Sequence, residues 1–224
     1  MVAARIFVAS ALLALACTGA ALADNPTVKI NTADQAKADA SLLRLKDFAA
    51  VAVGWTGGPT TPSKLTAPAC PGFNPKESDL VITGHAEARF IYKSAGVILD
   101  QDSQVLESAA AVKTDFARTI TPKLADCLAY QWKSSKTTKV VSVAVRQLGL
   151  PRIGNISAAY RATVVIKTGT ARTVTILSDY VFFGQGRFEF SINVEAPVGE
   201  GGQLVPFETG MAQILVKRVP SNVA

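Results

Sequence analysis

The sequence predicts an α+β fold in which helices cover one face of an antiparallel sheet. Two observations predict it. Four segments of alternating apolar and polar residues follow one another closely between residues 139 and 196, and helical patterns stand before and after them. A further alternating pair, at residues 79–92 and 95–106, is typical of a hairpin. We therefore expect a two-strand hairpin plus a four-strand meander.

The first 23 residues have the features of a secretory signal peptide. Arg5 is their only charged side chain, and the apolar run at residues 6–16 is too short to cross a bilayer. Ala21 and Ala23 occupy the third and first positions before Asp24. These small side chains fit the specificity of signal peptidase, which predicts a cut before Asp24. We therefore predict that residues 1–23 are removed and that the protein is secreted, either extracellular or periplasmic.

A lipid anchor on Cys17 is the alternative to simple release. Lipoprotein signals usually carry Leu three residues before the modified cysteine, and here that position holds Ala14. In either case we expect residues 24–224 to form a single α+β domain, which is long enough for one sizeable core. No stretch of it approaches 18 uninterrupted apolar residues, so the sequence predicts no transmembrane span in the mature chain.

The mature chain is expected to begin with an amphipathic helix at residues 33–50, capped by Asn31 or Thr32. The next segment, residues 54–78, is dense in Gly, Pro, Ser and Thr, a composition that predicts a long irregular loop. Cys70 lies in the middle of this loop. Long loops inside a domain are often functional or tethered, and a tether is the economical interpretation here.

Cys70 and Cys127 are the two cysteines that remain after cleavage at Ala23. An even pair in an exported chain predicts a disulfide, which would stabilise the fold by roughly 4 kcal/mol. Two separate buried thiols are the alternative. A metal site is not expected, since the chain has one histidine and no Cys-x-x-Cys pair, and no cofactor is expected either.

Two short helices are predicted at residues 107–132, where apolar side chains recur at helical spacing and Pro122 introduces a break near Thr121. A last helix is predicted from about residue 203 to 218. The four meander strands between them are residues 139–148, 156–167, 172–183 and 187–196. The last is the clearest of the four, and its expected inward side chains are Phe188, Phe190, Ile192 and Val194.

The spacing of the short motifs GW, CPG, SDLVITG, CL, AYR and GRFEF resembles a group of uncharacterised exported proteins from high-GC Gram-positive bacteria. The predicted order of elements is similar to the PsbP-like α/β sandwich and to some extracellular sensor domains. The resemblance covers most of the mature chain. It implies a fold and a location, and it implies no activity and no catalytic residues.

Positive charge is concentrated in one part of the chain. The net charge is +6, and residues 133–187 carry nine basic side chains against a single acid, Asp179. Alternation along the meander predicts that four of these cations share the wet face of the sheet, where they would favour an anionic partner; they are Arg146, Arg161, Lys167 and Arg187. The alternative is a solvated face on which Glu189, Glu195 and Asp179 cancel much of the charge.

His85 is the only histidine, and alternation predicts that it shares one strand face with Glu87 and Arg89. We expect this row to be the polar, wet side of a half-exposed strand and to hold no catalytic residue. Asp100 and Asp102 offer two oxygen ligands without the further spaced ligands of a known cation loop. The sequence also contains no nucleophile elbow, no zinc-protease motif, no phosphate loop and no dinucleotide fingerprint.

Three classes of function follow from these observations. The first is an exported, non-enzymatic binding or sensor-like domain of the cell envelope, whose partner is an anionic envelope component or an acidic protein. The second is a structural or accessory envelope protein that acts through protein contacts. The third is a hydrolase with an unrecognised site near His85. Nucleic acid is not an expected partner, because it is less plausible in an exported compartment and the outward positions lack aromatic side chains for base stacking.

Overall fold

The computed structural model describes residues 23–169 and 172–219. The predicted signal peptide and the alternative lipid site at Cys17 therefore lie outside the described residues, apart from Ala23. The strands are β1 Thr27–Val28, β2 Trp55–Thr60, β3 Val81–Tyr92, β4 Val97–Leu106, β5 Val140–Gln147, β6 Ile156–Thr168, β7 Arg172–Gln185 and β8 Phe188–Pro197. The helices are α1 Thr32–Ser41, α2 Ala109–Thr119, α3 Pro122–Lys133 and α4 Gly201–Arg218, with 3-10 turns at Leu45–Phe48 and Val198–Glu200.

All the described strands belong to one mixed, mostly antiparallel sheet. Its order is β1-β3-β4-β8-β7-β6-β5, with β2 also paired to β3. Among the described strand pairs, only the short β1–β3 pair is parallel. The predicted hairpin (β3–β4) and meander (β5 to β8) are both present, and β8 pairs with β4 to join them. The sheet is therefore larger than the hairpin plus meander that the sequence predicts.

The start of the predicted loop at residues 54–78 is a strand, which corrects the sequence prediction. β2 contains the sequence GGPT, which is more typical of a loop than of a strand. It nevertheless forms six residue pairs with β3, from Trp55–Tyr92 to Thr60–Glu87. Gly57 makes this close pairing possible. A Cβ atom there would come within 2.1 Å of the Arg89 carbonyl oxygen, and its φ of +124° strains any other residue. Pro59 is tolerated because β2 lies on the edge of the sheet.

Helices cover both faces of the sheet, so the prediction that they cover one face is wrong. On what we call the first face, α1 and α4 close over the side chains of Phe90, Val194 and their neighbours. On the second face, α2 and α3 pack against β6 and β7, around Ile156 and Tyr160. The physical reason is that the central strands carry apolar residues on both sides, and each side must be removed from water.

Cys70 and Cys127 form the predicted disulfide, across a sequence separation of 57 residues. The bond lies in a small core on the second face, whose other buried members are Phe73, Leu124, Leu128 and Tyr160. It fixes the irregular segment that follows β2 to helix α3. Among the helices that the structure describes, none combines the length and the apolarity needed to cross a bilayer.

The helix boundaries follow from local signals. The Asn31 side chain accepts a hydrogen bond from the Asp34 amide and so caps α1. The predicted break near Thr121 is present, and Pro122 occupies the first turn of α3, where its missing amide proton costs nothing. The first helix is shorter than predicted: it ends at Ser41, and a separate 3-10 turn at Leu45–Phe48 follows.

Candidate functional site

Arg161 does not lie on a wet surface, which corrects the predicted basic face. It lies on the first face, beneath α4, and is only 9% exposed. Its guanidinium donates two hydrogen bonds to Asp179, the residue directly opposite on β7, at 2.7 and 2.5 Å. Because α4 covers this side of the sheet, the arginine must be paired to be buried. Arg161 is therefore structural in the described fold.

Arg187 is also part of a structural network. It lies in the turn between β7 and β8, just before the strand that it was predicted to open. Its guanidinium donates to the Asp34 carboxylate at 2.7 Å and to the Leu106 carbonyl oxygen at 2.7 Å. Burial raises the pKa of Asp34. Hydrogen bonds from Lys37, Arg187 and other donors outweigh burial and hold this pKa well below its ordinary value.

The other two predicted cations, Arg146 and Lys167, are exposed. They lie toward opposite ends of the β5–β6 pair, because Arg146 pairs with Arg161 and the Lys167 amide donates to the Lys139 carbonyl oxygen. The four predicted residues therefore do not form one surface.

Lys167 belongs to a different group of exposed cations, which we call the basic tip. The group occupies the end of α3, the following loop and the adjoining ends of β5, β6 and β7; its members are Lys133, Lys136, Lys139, Lys167 and Arg172. All five are exposed. Within residues 23–169 and 172–219, none of them forms an ion pair with a carboxylate. The tip is thus a concentration of unneutralised positive charge.

The second face carries a row of ionisable side chains on β3, β4 and β8. The strand register places Glu87 directly opposite Asp102, and His85 directly opposite Gln104. The three groups that we call the His85 cluster are His85, Glu87 and Asp102. The His85 Nε2 atom lies 2.6 Å from Asp102 Oδ2 and 3.5 Å from Glu87 Oε1. One imidazole therefore bridges two carboxylates on neighbouring strands.

His85 is buried, with 6% exposure, which corrects the prediction that it stands on a wet strand face. Alternation correctly placed His85, Glu87 and Arg89 on one side of β3, but it could not show what covers that side. Burial by itself lowers the pKa of His85. Hydrogen bonds and charge from Asp102 and Glu87 outweigh burial and raise that pKa to about 9. The imidazole is therefore protonated at neutral pH.

Three further carboxyl groups lie near the cluster on the same side of the sheet: Glu77, Asp115 and Glu189. Burial raises the pKa of Glu189 well above its ordinary value, with Asp115, Glu77 and Asp102 adding to the effect. Burial likewise raises the pKa of Glu77 to about 8, with Asp115 and Asp24 adding to it. The Glu189 Oε2 atom is buried and has no hydrogen-bond partner among the described residues. The region thus has more carboxyl groups than cations to balance them.

Neighbouring side chains hold the cluster's carboxylates in place. The Ser63 hydroxyl and amide both donate to Glu87 Oε1, and the Gln104 amide group donates to Asp102 Oδ1. On the same face, Arg89 pairs with Asp100 through bonds of 3.1 and 3.2 Å. The sequence signal for this site was the alternation of β3 together with Asp100 and Asp102. The β3–β4 register, which brings His85 and Glu87 next to Asp102, could not be predicted from the sequence.

The arrangement does not resemble a nucleophile activated by a base. In the described part of the chain, no hydroxyl or thiol hydrogen-bonds to the His85 ring; the nearest serine contact is from Ser63 to Glu87. A histidine that keeps its proton at neutral pH is also a poor general base there. The cluster can hold positive charge between two carboxylates, which is the chemistry of a cation site or of an internal ion pair.

Comparison with known proteins gives no relative. No protein-family model, no curated protein and no solved structure matches the chain significantly. The resemblance to exported proteins with a PsbP-like or sensor-like architecture thus stays a prediction.

Proposed function

We propose that the protein is an exported, non-catalytic binding domain of the cell envelope, and that its basic tip binds an anionic component. The Cys70–Cys127 disulfide and the lack of a spanning helix in the described residues are compatible with an extracellular location. Export itself rests on the signal features of residues 1–23. N-terminal sequencing of material from the native host tests it, with Asp24 as the expected first residue and a lipid-modified Cys17 as the contrary result.

The observation that carries the binding proposal is the charge of the basic tip. No acidic residue occurs among residues 133–178, and the five tip cations are exposed on adjoining segments of the fold. Exposed like charges that are not neutralised locally produce a field that attracts anions, and this attraction is screened by salt. The matching chemistry is a dense array of phosphate or carboxylate groups, as on an anionic envelope polymer or an anionic lipid surface.

The two alternative functions, a hydrolase near His85 and a structural envelope protein, have less support. A hydrolase near His85 would need a base and a nucleophile in contact, and the imidazole instead lies between two carboxylates. A structural role through protein contacts would be favoured by a broad apolar surface. Among the residues that the structure describes, the exposed large apolar side chains include Val51 and Val53, and Val53 is 91% exposed.

The test measures binding of the mature chain to vesicles of anionic or zwitterionic lipid and to inorganic polyphosphate. We expect salt-sensitive binding to anionic vesicles or to polyphosphate, and none to zwitterionic vesicles. The vesicle and polymer arms separate the two sources of negative charge. Replacing Lys136, Lys139 and Lys167 by Gln should weaken binding more than tenfold, since each lysine near an anionic surface contributes about 1 kcal/mol.

A matched control removes the same charge elsewhere. Lys123, Arg146 and Lys217 are also exposed, and replacing all three by Gln lowers the net charge equally. We expect this control to weaken binding only slightly. Equal losses in the two triple variants, or no binding to any anionic probe at low salt, would show that the basic tip is not the binding surface.

A further inference from the structure

We propose that His85, Glu87 and Asp102 form a binding site for a divalent transition-metal ion of the Zn²⁺ type. The site lies on the second face of the sheet and does not involve the basic tip, so it stands independently of the proposed function. Its ligands are one imidazole nitrogen and two carboxylate oxygens, and the three atoms lie within 4.8 Å of one another.

The geometry is close to what such an ion requires. Zinc–ligand distances of about 2.0–2.2 Å place neighbouring ligand atoms roughly 3.3 Å apart in a tetrahedral site. The His85 Nε2 atom is 3.5 Å from Glu87 Oε1, which already suits that spacing. It is 2.6 Å from Asp102 Oδ2, so this pair must open by less than an ångström. The Glu87 and Asp102 ligand oxygens lie within 4.8 Å of each other.

The ligands stand on a rigid support. His85 and Glu87 are two residues apart on β3. Asp102 lies directly opposite Glu87 on β4, near the middle of a long antiparallel pair. Hydrogen bonds from Ser63 to Glu87 and from Gln104 to Asp102 orient the two carboxylates. Such outer partners are what fix the ligands of natural metal sites. Three protein ligands would leave a fourth position open to an external molecule.

A second observation indicates that a cation would be favourable at this site. Glu189 lies on β8, diagonal to Asp102 across the β4–β8 pair. Its Oε2 atom is buried and has no hydrogen-bond partner among the described residues. Unpartnered buried oxygens are costly, and a nearby cation is one way to compensate them. The neighbouring carboxyl groups of Asp115 and Glu77 lie in the same region.

The ligand set distinguishes between classes of metal. Calcium and magnesium prefer six or more oxygen ligands, and an imidazole is not among them. A mixed nitrogen and oxygen set suits Zn²⁺ and its first-row neighbours. The competing interpretation is an internal ion pair, in which protonated His85 itself is the cation that the two carboxylates need. Direct metal titration separates the two.

The experiment uses the mature chain without a polyhistidine tag, treated with a chelator and then titrated with Zn²⁺ in a calorimeter. We expect one ion to bind per chain. Asp102→Asn and Glu87→Gln should each weaken binding at least about tenfold. The matched control is Asp100→Asn, a carboxylate on the same face of β4 that pairs with Arg89; its affinity should stay within twofold of the native value.

Two further measurements keep the test decisive. Thermal melts identify any variant that fails to fold, and signals of the only histidine in the chain report directly whether Zn²⁺ reaches His85. Shifted or broadened imidazole resonances on addition of Zn²⁺, with no effect of Ca²⁺, support the site. The proposal is wrong if Zn²⁺ does not bind, if Ca²⁺ binds equally well, or if the Asp102 and Glu87 variants bind like the control.

Discussion

Arg161 and Asp179 face each other on neighbouring strands and form a doubly hydrogen-bonded ion pair beneath α4. Asp179 is fully buried, and the carboxyl group of Glu208 on α4 lies close enough to sense its charge. The Glu208 carboxyl group contacts that of Asp179, and no other described residue hydrogen-bonds to its oxygens. The first face of the sheet therefore contains a charged centre within its apolar core, and the stability of the fold depends on keeping that centre balanced.

Replacing Arg161 by Leu should destabilise the protein severely, because Asp179 is then left as an uncompensated buried charge. The expected loss is about 3–5 kcal/mol, measured by chemical denaturation. Arg146 is the control: it lies directly opposite Arg161 on β5 but is exposed, and Arg146→Leu should cost less than about 1 kcal/mol. Similar losses in the two variants would show that Arg161 is not buried as described.

Stability should fall as the pH rises from 5 to 8. Burial raises the pKa of Glu208 well above its ordinary value, with Asp179 adding to it, and the pKa of Glu77 is raised to about 8. An acid with a raised folded-state pKa holds a proton that the unfolded chain releases above about pH 4.5, so the folded state loses stability as pH increases. Thermal melts should show a higher Tm at pH 5 than at pH 8.

Glu208→Gln isolates one part of this pH dependence. Removing the buried acid should raise stability at pH 8 by about 1–3 kcal/mol and flatten the profile between pH 5 and 8. Glu107→Gln, at an exposed position, should leave the profile unchanged. A profile that is equally steep in the Glu208 variant would mean that this carboxyl group is ionised in the folded protein, contrary to its burial.

The only histidine should titrate with a pKa near 9 in metal-free protein. Since hydrogen bonds and charge from Asp102 and Glu87 raise this pKa against the effect of burial, Asp102→Asn should lower it markedly. Both values can be read from imidazole chemical shifts in a pH titration by NMR. A native pKa at or below 6.5 would mean that the close contact between His85 and Asp102 does not persist in solution.

Loss of the disulfide should weaken the second-face core. Cys127→Ala removes the link between the segment around Cys70 and helix α3, and native disulfides in exported domains typically contribute 2–5 kcal/mol. Denaturation of this variant should show a loss in that range, and one thiol per chain should become reactive to an alkylating reagent. Two reactive thiols in the native, unreduced protein would contradict the bond.

The parts of the fold that could be predicted from sequence are those fixed by local patterns. Pro122 marks the start of a helix by its missing amide proton, and strict alternation identifies β8 with Phe188 and Phe190 facing inward. The Cys70–Cys127 pair follows from cysteine number and compartment. None of these depends on knowing which distant segments come together.

The parts that could not be predicted depend on long-range packing. Alternation assigns Arg161 and His85 each to one face of its strand. Whether the Arg161 face is wet depends on α4, and whether the His85 face is wet depends on α2 and on the segment after β2. Alternating apolar residues on β6 suggested one buried side, while Val181 and Phe183 on β7 lie on the other, which α4 and α1 cover. The His85 cluster needs the β3–β4 register, in which a shift of one residue would place Asp102 on the other face.

The disulfide also has a consequence for where the molecule can reach its final form. The segment that it anchors carries Ser63, which positions Glu87, and Glu77, whose carboxyl group lies near Glu189. A chain still in the reducing cytoplasm lacks the bond, so this segment has one fewer attachment to helix α3 there. Under the export that we propose, the compartment that receives the chain would supply the oxidation that completes the surroundings of His85.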